Sequence, residues 1–174
     1  MVQHFAESDL KVFGFTGFSG SGKTTLLEQM IPLFVQRGLR VSLIKHAHHK
    51  FDVDHPGKDS YRHREAGCTE VMLVSSNRWA LMHELRGDGE PSLDEQIARM
   101  SPCDLLLIEG YKNSDLPKIE IHRPDHVEEM LYPGHNVVAV ASDVPLPLLD
   151  VPCLDLNSPP AIVEFVLDYT GLNK

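Results

Sequence analysis

One segment near the start of the chain has residue types and spacing suited to binding phosphate. It runs from Gly17 to Thr24 and matches the full pattern Gly-x-x-x-x-Gly-Lys-Ser/Thr. Glycines let the backbone wrap so that successive N–H groups face phosphate oxygens, and a following helix adds the positive end of its dipole. Lys23 is predicted to bridge the β- and γ-phosphates of a nucleotide, and the Thr24 hydroxyl to hold Mg²⁺. The predicted nucleotide contacts in this segment are Gly17, Phe18, Ser19, Gly20, Ser21, Gly22, Lys23, Thr24 and Thr25.

A phosphate loop also needs a carboxylate that anchors the metal ion or its water ligands. Glu109 follows the apolar run 105–108, which is typical of a buried strand, and precedes Gly110. Because Asp is more usual at this place, the longer Glu109 is expected to act through water or together with a second acid, for which Asp59 is the best candidate. A solvated acid at a strand end is the alternative. We predict Thr24, Asp59 and Glu109 as metal ligands, and Lys23 and Glu109 as the catalytic residues.

A basic, histidine-rich window interrupts an otherwise acidic chain. Residues 40–64 contain six Lys or Arg against three Asp, and the sequence Lys-His-Ala-His-His-Lys at 45–50 follows a predicted strand. A zinc site on the histidines at 46, 48 and 49 and a simply solvated loop are two interpretations. We favour a third, in which cationic side chains surround the nucleotide phosphates or a second phosphorylated ligand. The cations of this predicted rim are Lys45, Lys58, Arg62 and Arg64.

Asp143 is the candidate reader of the base. It follows the apolar run 136–141, where a carboxylate could accept hydrogen bonds from the N1–H and N2–H groups of guanine. The sequence Asn-Lys-x-Asp, the usual guanine signature, is absent, and an ordinary turn-forming Asp is the alternative. GTP and Mg²⁺ are therefore the predicted ligands, with the choice of guanine over adenine resting on Asp143.

Length and composition limit the class of protein. The chain has 174 residues, a net charge of −9, 42% hydrophobic residues and three cysteines. At about 150 residues per domain we predict a single nucleotide-binding domain over residues 1–174. No apolar run reaches the roughly twenty residues of a membrane span, and the first residues include acids where a secretory signal has a basic patch. We predict a cytoplasmic protein with reduced thiols and no affinity for nucleic acid or membrane.

Strands and helices alternate in a way that would position these residues. The apolar patterns predict strands at 11–16, 41–45, 104–109, 118–122 and 136–141, with helices after the phosphate loop, at 59–66, at 92–100 and at 161–170. Residues 144–160 are predicted to be loop. This order implies an α/β fold, a P-loop sandwich with a mostly parallel central sheet.

An antiparallel β-hairpin at 70–84 is predicted beside this sheet, around a short turn at 76–78. Its free edge, with Trp79 on one face, could be covered by a second subunit. Packing of the hairpin within its own chain is the alternative.

Several of these motifs together resemble the molybdopterin-guanine dinucleotide biosynthesis protein B (MobB) family. The similar segments are Gly17–Thr25, 45–49, 54, 56–60, 62–67, Glu109–Lys112 and 117–120. The phosphate loop alone is common, but its combination with Lys-His-x-His-His, Gly-Lys-Asp-Ser and Glu-Gly-Tyr-Lys is specific, whereas the last fifty residues are less diagnostic.

The resemblance implies a cytoplasmic, GTP-binding homodimer with weak GTPase activity. It implies an adapter in molybdenum cofactor biosynthesis and delivery, working with molybdopterin guanylyltransferase and other molybdenum-cofactor proteins. It also implies the P-loop class of dethiobiotin synthetase, in which acids matching Glu109 and Asp59 share Mg²⁺ with the loop threonine.

Two other functions stay open at this point. A small-molecule kinase or ligase could use the same phosphate loop, with the basic window holding the acceptor. A metal carrier could use the histidine loop, with the nucleotide as a switch. Since no residue is evident that must orient an attacking water, hydrolysis by the leading candidate is predicted to be slow.

Overall fold

The computed structural model of the chain describes residues 10–47 and 51–173. The chain divides into two compact units, residues 1–46 with 100–174, and residues 47–99. The prediction of one domain over the whole chain stays a prediction. The elements in chain order are β1 (Lys11–Thr16), α1 (Lys23–Gln36), β2 (Val41–Lys45), α2 (Asp59–Glu65), β3 (Glu70–Val74), β4 (Trp79–His83), α3 (Leu93–Ala98), β5 (Leu105–Glu109), β6 (Lys118–His122), β7 (Val137–Ser142), β8 (Cys153–Asp155) and α4 (Pro159–Thr170).

The first unit is built on a six-stranded sheet in the order β2-β5-β1-β6-β7-β8. All of its strand pairs are parallel, so the carboxyl ends of the strands meet at one edge. The register sets Lys45 beside Glu109, and Glu109 beside Phe15. Residues that follow β1, β2, β5, β6 and β7 therefore come together at the edge where ligands bind in open α/β sheets. The predicted fold class is confirmed.

The hydrophobic core of this unit lies between the sheet and the helices α1 and α4. Alternate residues of each strand point to opposite faces, and Phe13 and Phe15 of β1 face this core together with Met30 and Phe34 of α1. Burial of each such large apolar side chain contributes about 1.5–3 kcal/mol. Strand β5 is buried at every position, as its continuous apolar run predicts.

Strand β6 carries buried polar side chains, two of which hold loops in place. The ammonium of Lys118, whose residue is 1% exposed, donates hydrogen bonds to the carbonyl oxygens of Tyr111 and Lys112 at 3.3 Å and also contacts Ser114. The carboxylate of Glu120 accepts hydrogen bonds from the backbone N–H groups of residues 131 and 132, at 2.7 and 2.9 Å. Because these buried charges are hydrogen-bonded, they stabilise the loops on this side of the sheet.

The second unit contains the predicted hairpin, formed by β3 and β4, together with α2 and α3. Its loops are joined by Arg64, whose guanidinium donates to Asp52, Asp54 and Glu84 at 2.6–3.3 Å. Hydrogen bonds to Glu84 and Asp52 raise the pKa of Arg64. Helix α3 begins with a capping box between Ser92 and Glu95, as predicted.

Most predicted elements are present, with ends that differ by one or two residues. Three strands have the predicted bounds, and α4 begins at Pro159 rather than at 161. The prediction of loop throughout 144–160 is wrong at 153–155, where β8 pairs with β7 and closes the sheet. Strand β8 has only three residues and directly follows Pro152, so it is too short for a periodic pattern to be recognised. No helix within the described residues is long and apolar enough to cross a membrane.

Candidate nucleotide-binding site

The phosphate loop joins β1 to α1 at the carboxyl edge of the sheet. Its glycines have left-handed backbone conformations, with φ of 136° at Gly17, 80° at Gly20 and 97° at Gly22. A Cβ atom on Gly17 would lie 2.4 Å from the carbonyl oxygen of Ile121, so no other residue fits there without displacing β6. Ser19 and Gly20 are exposed, so the outer side of the loop is open to a ligand. The strand, loop and helix predicted from the motif are all present.

The first turn of α1 leaves its N–H groups available to an anion. Gly22 is the N-cap residue and supplies no side-chain hydrogen bond, and the first turn contains no acidic residue. Every α-helix has four N–H groups without an intrahelical acceptor at this end, and the helix dipole favours negative charge there. Ser21 lies just before this turn and is 3% exposed, and its hydroxyl has no hydrogen-bond partner among the described residues. A buried hydroxyl of this kind is satisfied when a ligand or water accepts from it.

The ammonium of Lys23 lies over the loop. It donates to the carbonyl oxygens of Gly17 at 3.0 Å and Phe18 at 2.8 Å, which leaves one of its three N–H donors for a ligand. Burial lowers the pKa of Lys23, Glu109 opposes that change, and the neighbouring Lys112 and Lys45 add to it. A polyphosphate would therefore meet several positive charges at once.

Thr24 and Glu109 form the pair of oxygens expected of a magnesium site. The Thr24 hydroxyl donates to Glu109 Oε1 at 2.8 Å, and the Glu109 side chain is 6% exposed. Mg²⁺ binds oxygen at about 2.0–2.1 Å in an octahedron, which puts neighbouring oxygens about 2.9 Å apart. The residues present thus fit Mg²⁺ as two adjacent ligands. Their metal roles stay predictions.

The ammonium of Lys45 touches the same two oxygens. Its Nζ lies 3.1 Å from Thr24 Oγ1 and 3.2 Å from Glu109 Oε1. This strand β2 residue, predicted to contact phosphate, therefore lies next to the predicted metal ligands. It balances the charge of the buried Glu109 carboxylate.

Three further basic residues contact the phosphate loop and were not predicted as site residues. The Lys112 ammonium lies 4.1 Å from the centre of the Phe18 ring, a cation–π contact. Arg123 Nε donates to the carbonyl oxygen of Ser21 at 3.1 Å, and His126 Nε2 lies 2.7 Å from the carbonyl oxygen of Ser19. Lys112 follows β5 and the other two follow β6. All three residues follow the strands that lie beside β1, and this position could have predicted their contact with the loop. It could not be used from the sequence, because it requires knowledge of the strand order.

Asp143 lies at the end of β7, as predicted, and makes an ion pair with Arg123 at 2.5 Å. It also lines a pocket of about 520 Å³ at the carboxyl ends of β7 and β8. The other residues of the lining are Val144, Pro145, Leu146, Pro147, Cys153, Leu154, Asp155 and Asn157. Apolar walls with a few polar groups are typical of small-molecule sites, and a flat base would suit them.

The remaining predicted residues belong to the second unit. Asp59 and Arg62 are exposed and form an ion pair at 3.7 Å with each other, and their predicted roles at the metal and the nucleotide stay predictions. Arg64 is neutralised by three carboxylates of its own unit, which speaks against its place in the cationic rim. Residues 48–50, which carry two of the three histidines of the proposed zinc site, lie outside the described residues. Across 10–47 and 51–173, no group of three or more His, Cys, Asp or Glu side chains could hold a metal ion.

Comparisons with known proteins agree with each other. The sequence model of the family MobB, molybdopterin guanine dinucleotide synthesis protein B, matches residues 12–143. A molybdopterin-guanine dinucleotide biosynthesis adapter protein of Escherichia coli (strain K12) is 44% identical over 92% of this chain and 93% of its own length. A protein of the same name from Haemophilus influenzae is 41% identical over 95% of this chain and 92% of its own length. The crystal structure of a MobB homologue from Bacillus stearothermophilus has a similar fold, with a TM-score of 0.72 at 24% identity over 93% of this chain and 99% of that one.

Proposed function

Since the chain belongs to the MobB family, we propose that it is a GTP-binding adapter in the biosynthesis of molybdopterin guanine dinucleotide. The adapter role rests on the names of its relatives. The proposal of GTP as ligand rests on the geometry of the site. The observation that carries it is a complete phosphate loop, in which the N-terminus of the following helix has no side-chain cap and the Lys23 ammonium lies over the loop.

The phosphates of GTP would contact the loop from Gly17 to Thr25. The N–H groups at the start of α1, the third donor of Lys23 and the ammonium of Lys45 supply positive charge around them. When bound, Mg²⁺ would be held by Thr24 and Glu109 and would neutralise part of the phosphate charge.

The base would occupy the pocket beside Asp143. A carboxylate there accepts from both N1–H and N2–H of guanine, whereas adenine presents an acceptor at N1 and no 2-amino group. Because the Asp143 carboxylate has about four lone-pair sites and Arg123 uses Oδ2, acceptor capacity is left for a base.

Hydrolysis of GTP by this site would be slow. Lys23 and the loop amides are placed to stabilise charge that develops on the γ-phosphate. Beside Lys23, the described part of the site offers the carboxylate of Glu109, but this group already makes an ion pair with Lys45 and accepts a hydrogen bond from Thr24. No group is thus evident there to orient an attacking water. A rate that rises with purified molybdopterin guanylyltransferase would indicate a partner-supplied residue, and an unchanged rate would contradict it.

Equilibrium binding of fluorescent GTP and ATP analogues tests the proposal. Lys23→Ala is expected to weaken GTP binding by about 10- to 100-fold, because it removes a charged hydrogen bond to phosphate. Asp143→Asn is expected to reduce the preference for GTP over ATP. Lys11→Ala, at the opposite edge of the sheet, is the matched control. Unimpaired binding in Lys23→Ala would refute the phosphate site, and equal affinity of the wild type for GTP and ATP would refute the guanine site.

The alternative of a small-molecule kinase or ligase would be favoured if the protein consumed ATP in preference to GTP and did so only when an acceptor was added. The site would then use the same Lys23 and loop amides.

The hairpin supports the proposal of a homodimer. The cross-strand pairs Met72–Leu81 and Val74–Trp79 are on one face, and these four side chains are 45–72% exposed. Exposed apolar clusters of this kind mark protein interfaces. Light scattering at micromolar concentration is expected to give the mass of a dimer, and Trp79→Ser to shift it toward the monomer. A monomeric wild type would refute the dimer.

A further inference from the structure

The segment that follows β6 contacts the phosphate loop through two side chains, Arg123 and His126. Arg123 Nε donates to Ser21 O at 3.1 Å, and His126 Nε2 lies 2.7 Å from Ser19 O. A Cβ atom on Gly20 would lie 2.6 Å from His126 Nε2, and one on Gly22 would lie 3.6 Å from Arg123 Nε. Both side chains thus lie directly against loop glycines, and both hold loop carbonyls.

Arg123 also reaches a second part of the site. Its Nη1 donates to Asp143 Oδ2 at 2.5 Å, while its Nε holds the Ser21 carbonyl. A guanidinium is planar and rigid, so these two contacts fix the distance between the loop and the carboxylate. The side chains of Arg123 and Asp143 are 37% and 28% exposed, so neither group is fully screened by water.

Asp143 borders the pocket proposed for the base, and Ser21 belongs to the loop proposed for the phosphates. Arg123 is therefore a direct connection between the two halves of a nucleotide site. A shift of the Asp143 carboxylate toward a base would move the guanidinium and, through Nε, the loop carbonyl. Coupling of this kind acts equally in both directions.

We propose that Arg123 is a positioning residue that couples recognition of the guanine base by Asp143 to the geometry of the phosphate loop. The proposal rests on the proposed function, in particular on GTP as ligand and Asp143 as base reader. Arg123 holds the Asp143 carboxylate oriented toward the base, and the same guanidinium keeps the loop in the form that binds phosphate.

The test compares affinities for GTP, ITP and inorganic tripolyphosphate by competition with a fluorescent GTP analogue. ITP lacks the 2-amino group that Asp143 would read, and tripolyphosphate lacks the base. The variants are Arg123→Gln, Arg123→Lys, Asp143→Asn and the double variant Arg123→Gln/Asp143→Asn. Arg37→Gln is the matched control, because Arg37 pairs with Glu164 on the outer surface of the helices. Thermal unfolding of each variant confirms that it is folded.

Arg123→Gln is expected to lower the ratio of GTP to ITP affinity about tenfold and to weaken tripolyphosphate binding severalfold. Arg123→Lys keeps the charge without the planar fork, so it is expected to restore tripolyphosphate binding but not the ratio. The double variant is expected to have the same ratio as Asp143→Asn, since the two residues act as one unit. Arg37→Gln is expected to change neither quantity.

The outcomes separate the inference from the function on which it rests. Equal affinity of the wild type for GTP and ITP would overturn Asp143 as base reader, and the inference with it. A wild-type preference for GTP that survives in Arg123→Gln would overturn the inference alone. So would a double variant whose fold-loss in the GTP-to-ITP ratio equals the product of the two single fold-losses, because independent effects add as free energies.

Discussion

Lys45 allows a quantitative test of the predicted magnesium site. Its ammonium lies 3.2 Å from Glu109 Oε1 and 3.1 Å from the Thr24 hydroxyl, so it occupies a cationic position beside both predicted metal ligands. In the variant Lys45→Met the buried Glu109 carboxylate loses this charge. A bound polyphosphate would then repel Glu109 unless Mg²⁺ replaced the missing cation. We therefore predict that Lys45→Met makes nucleotide binding more dependent on Mg²⁺.

The size of this effect follows from the distance and the exposure. Two unit charges 3.2 Å apart attract by about 5 kcal/mol at an effective dielectric constant of about 20. The Lys45 side chain is 52% exposed, and solvent reduces the net value for such a pair to about 1–2 kcal/mol. Because 1.4 kcal/mol corresponds to a factor of ten, the ratio of dissociation constants without and with Mg²⁺ is expected to be about tenfold larger in Lys45→Met than in the wild type.

The assay is a titration with a fluorescent GTP analogue, in EDTA and in saturating Mg²⁺. Ionic strength is held constant, since salt screens charges. Lys11→Met at the other end of the sheet is the control and is expected to keep the wild-type ratio. An unchanged ratio in Lys45→Met would refute the reasoning, because it would mean that Lys45 does not share the charge of Glu109 with the metal.

Three further predictions concern the supports of the two units. Gly17→Ala is expected to abolish detectable GTP binding and to destabilise the first unit by about 1–3 kcal/mol, because the new Cβ atom meets the β6 backbone. Titration with GTP measures the first effect and urea unfolding the second. Unimpaired binding would contradict the prediction. Burial lowers the pKa of Lys118 below 10.5, so between the folded pKa and 10.5 the unfolded chain binds more protons and the free energy of unfolding rises with pH. Lys118→Met is expected to remove this rise, which urea unfolding measured from about pH 7.5 to 10 would show. Parallel pH profiles of wild type and variant would contradict the prediction. Arg64→Met is expected to destabilise the second unit, because the carboxylates of Asp52, Asp54 and Glu84 lose their common partner. Faster limited proteolysis within 47–99 checks this, and an unchanged cleavage rate would contradict it.

The parts of the fold predicted from the sequence are those with strong local signals. The phosphate loop is a contiguous motif, and β5 is a continuous apolar run that ends in Glu109, so both were predicted without knowledge of the strand order. The short strand β8 has too few residues for a periodic signal, and it forms because the edge of β7 is available to it. Its existence depends on tertiary pairing.

The site was predicted less completely than the fold, for the same physical reason. Arg123 and His126 reach the loop only because β6 lies next to β1, and nothing in their immediate sequence indicates that order. The cationic rim predicted from residues 40–64 stays a prediction, because counting charges does not show which carboxylates neutralise them. Arg64 makes an ion pair with Asp54 and with other carboxylates of its own unit, whereas Lys45 makes an ion pair with Glu109.

The contacts of the phosphate loop also bear on when in folding the site is completed. Thr24 and Glu109 are separated by 85 positions, Arg123 and Ser21 by 102, and His126 and Ser19 by 107. Closing such long stretches of chain costs entropy before the contacts repay it, so we expect these contacts to form later than the local ones. In a chain still being synthesised, the phosphate loop lacks these contacts until β6 and the residues after it have emerged from the ribosome. Nucleotide binding would therefore mark molecules whose first unit has finished folding, and by mass action it would hold them in that state.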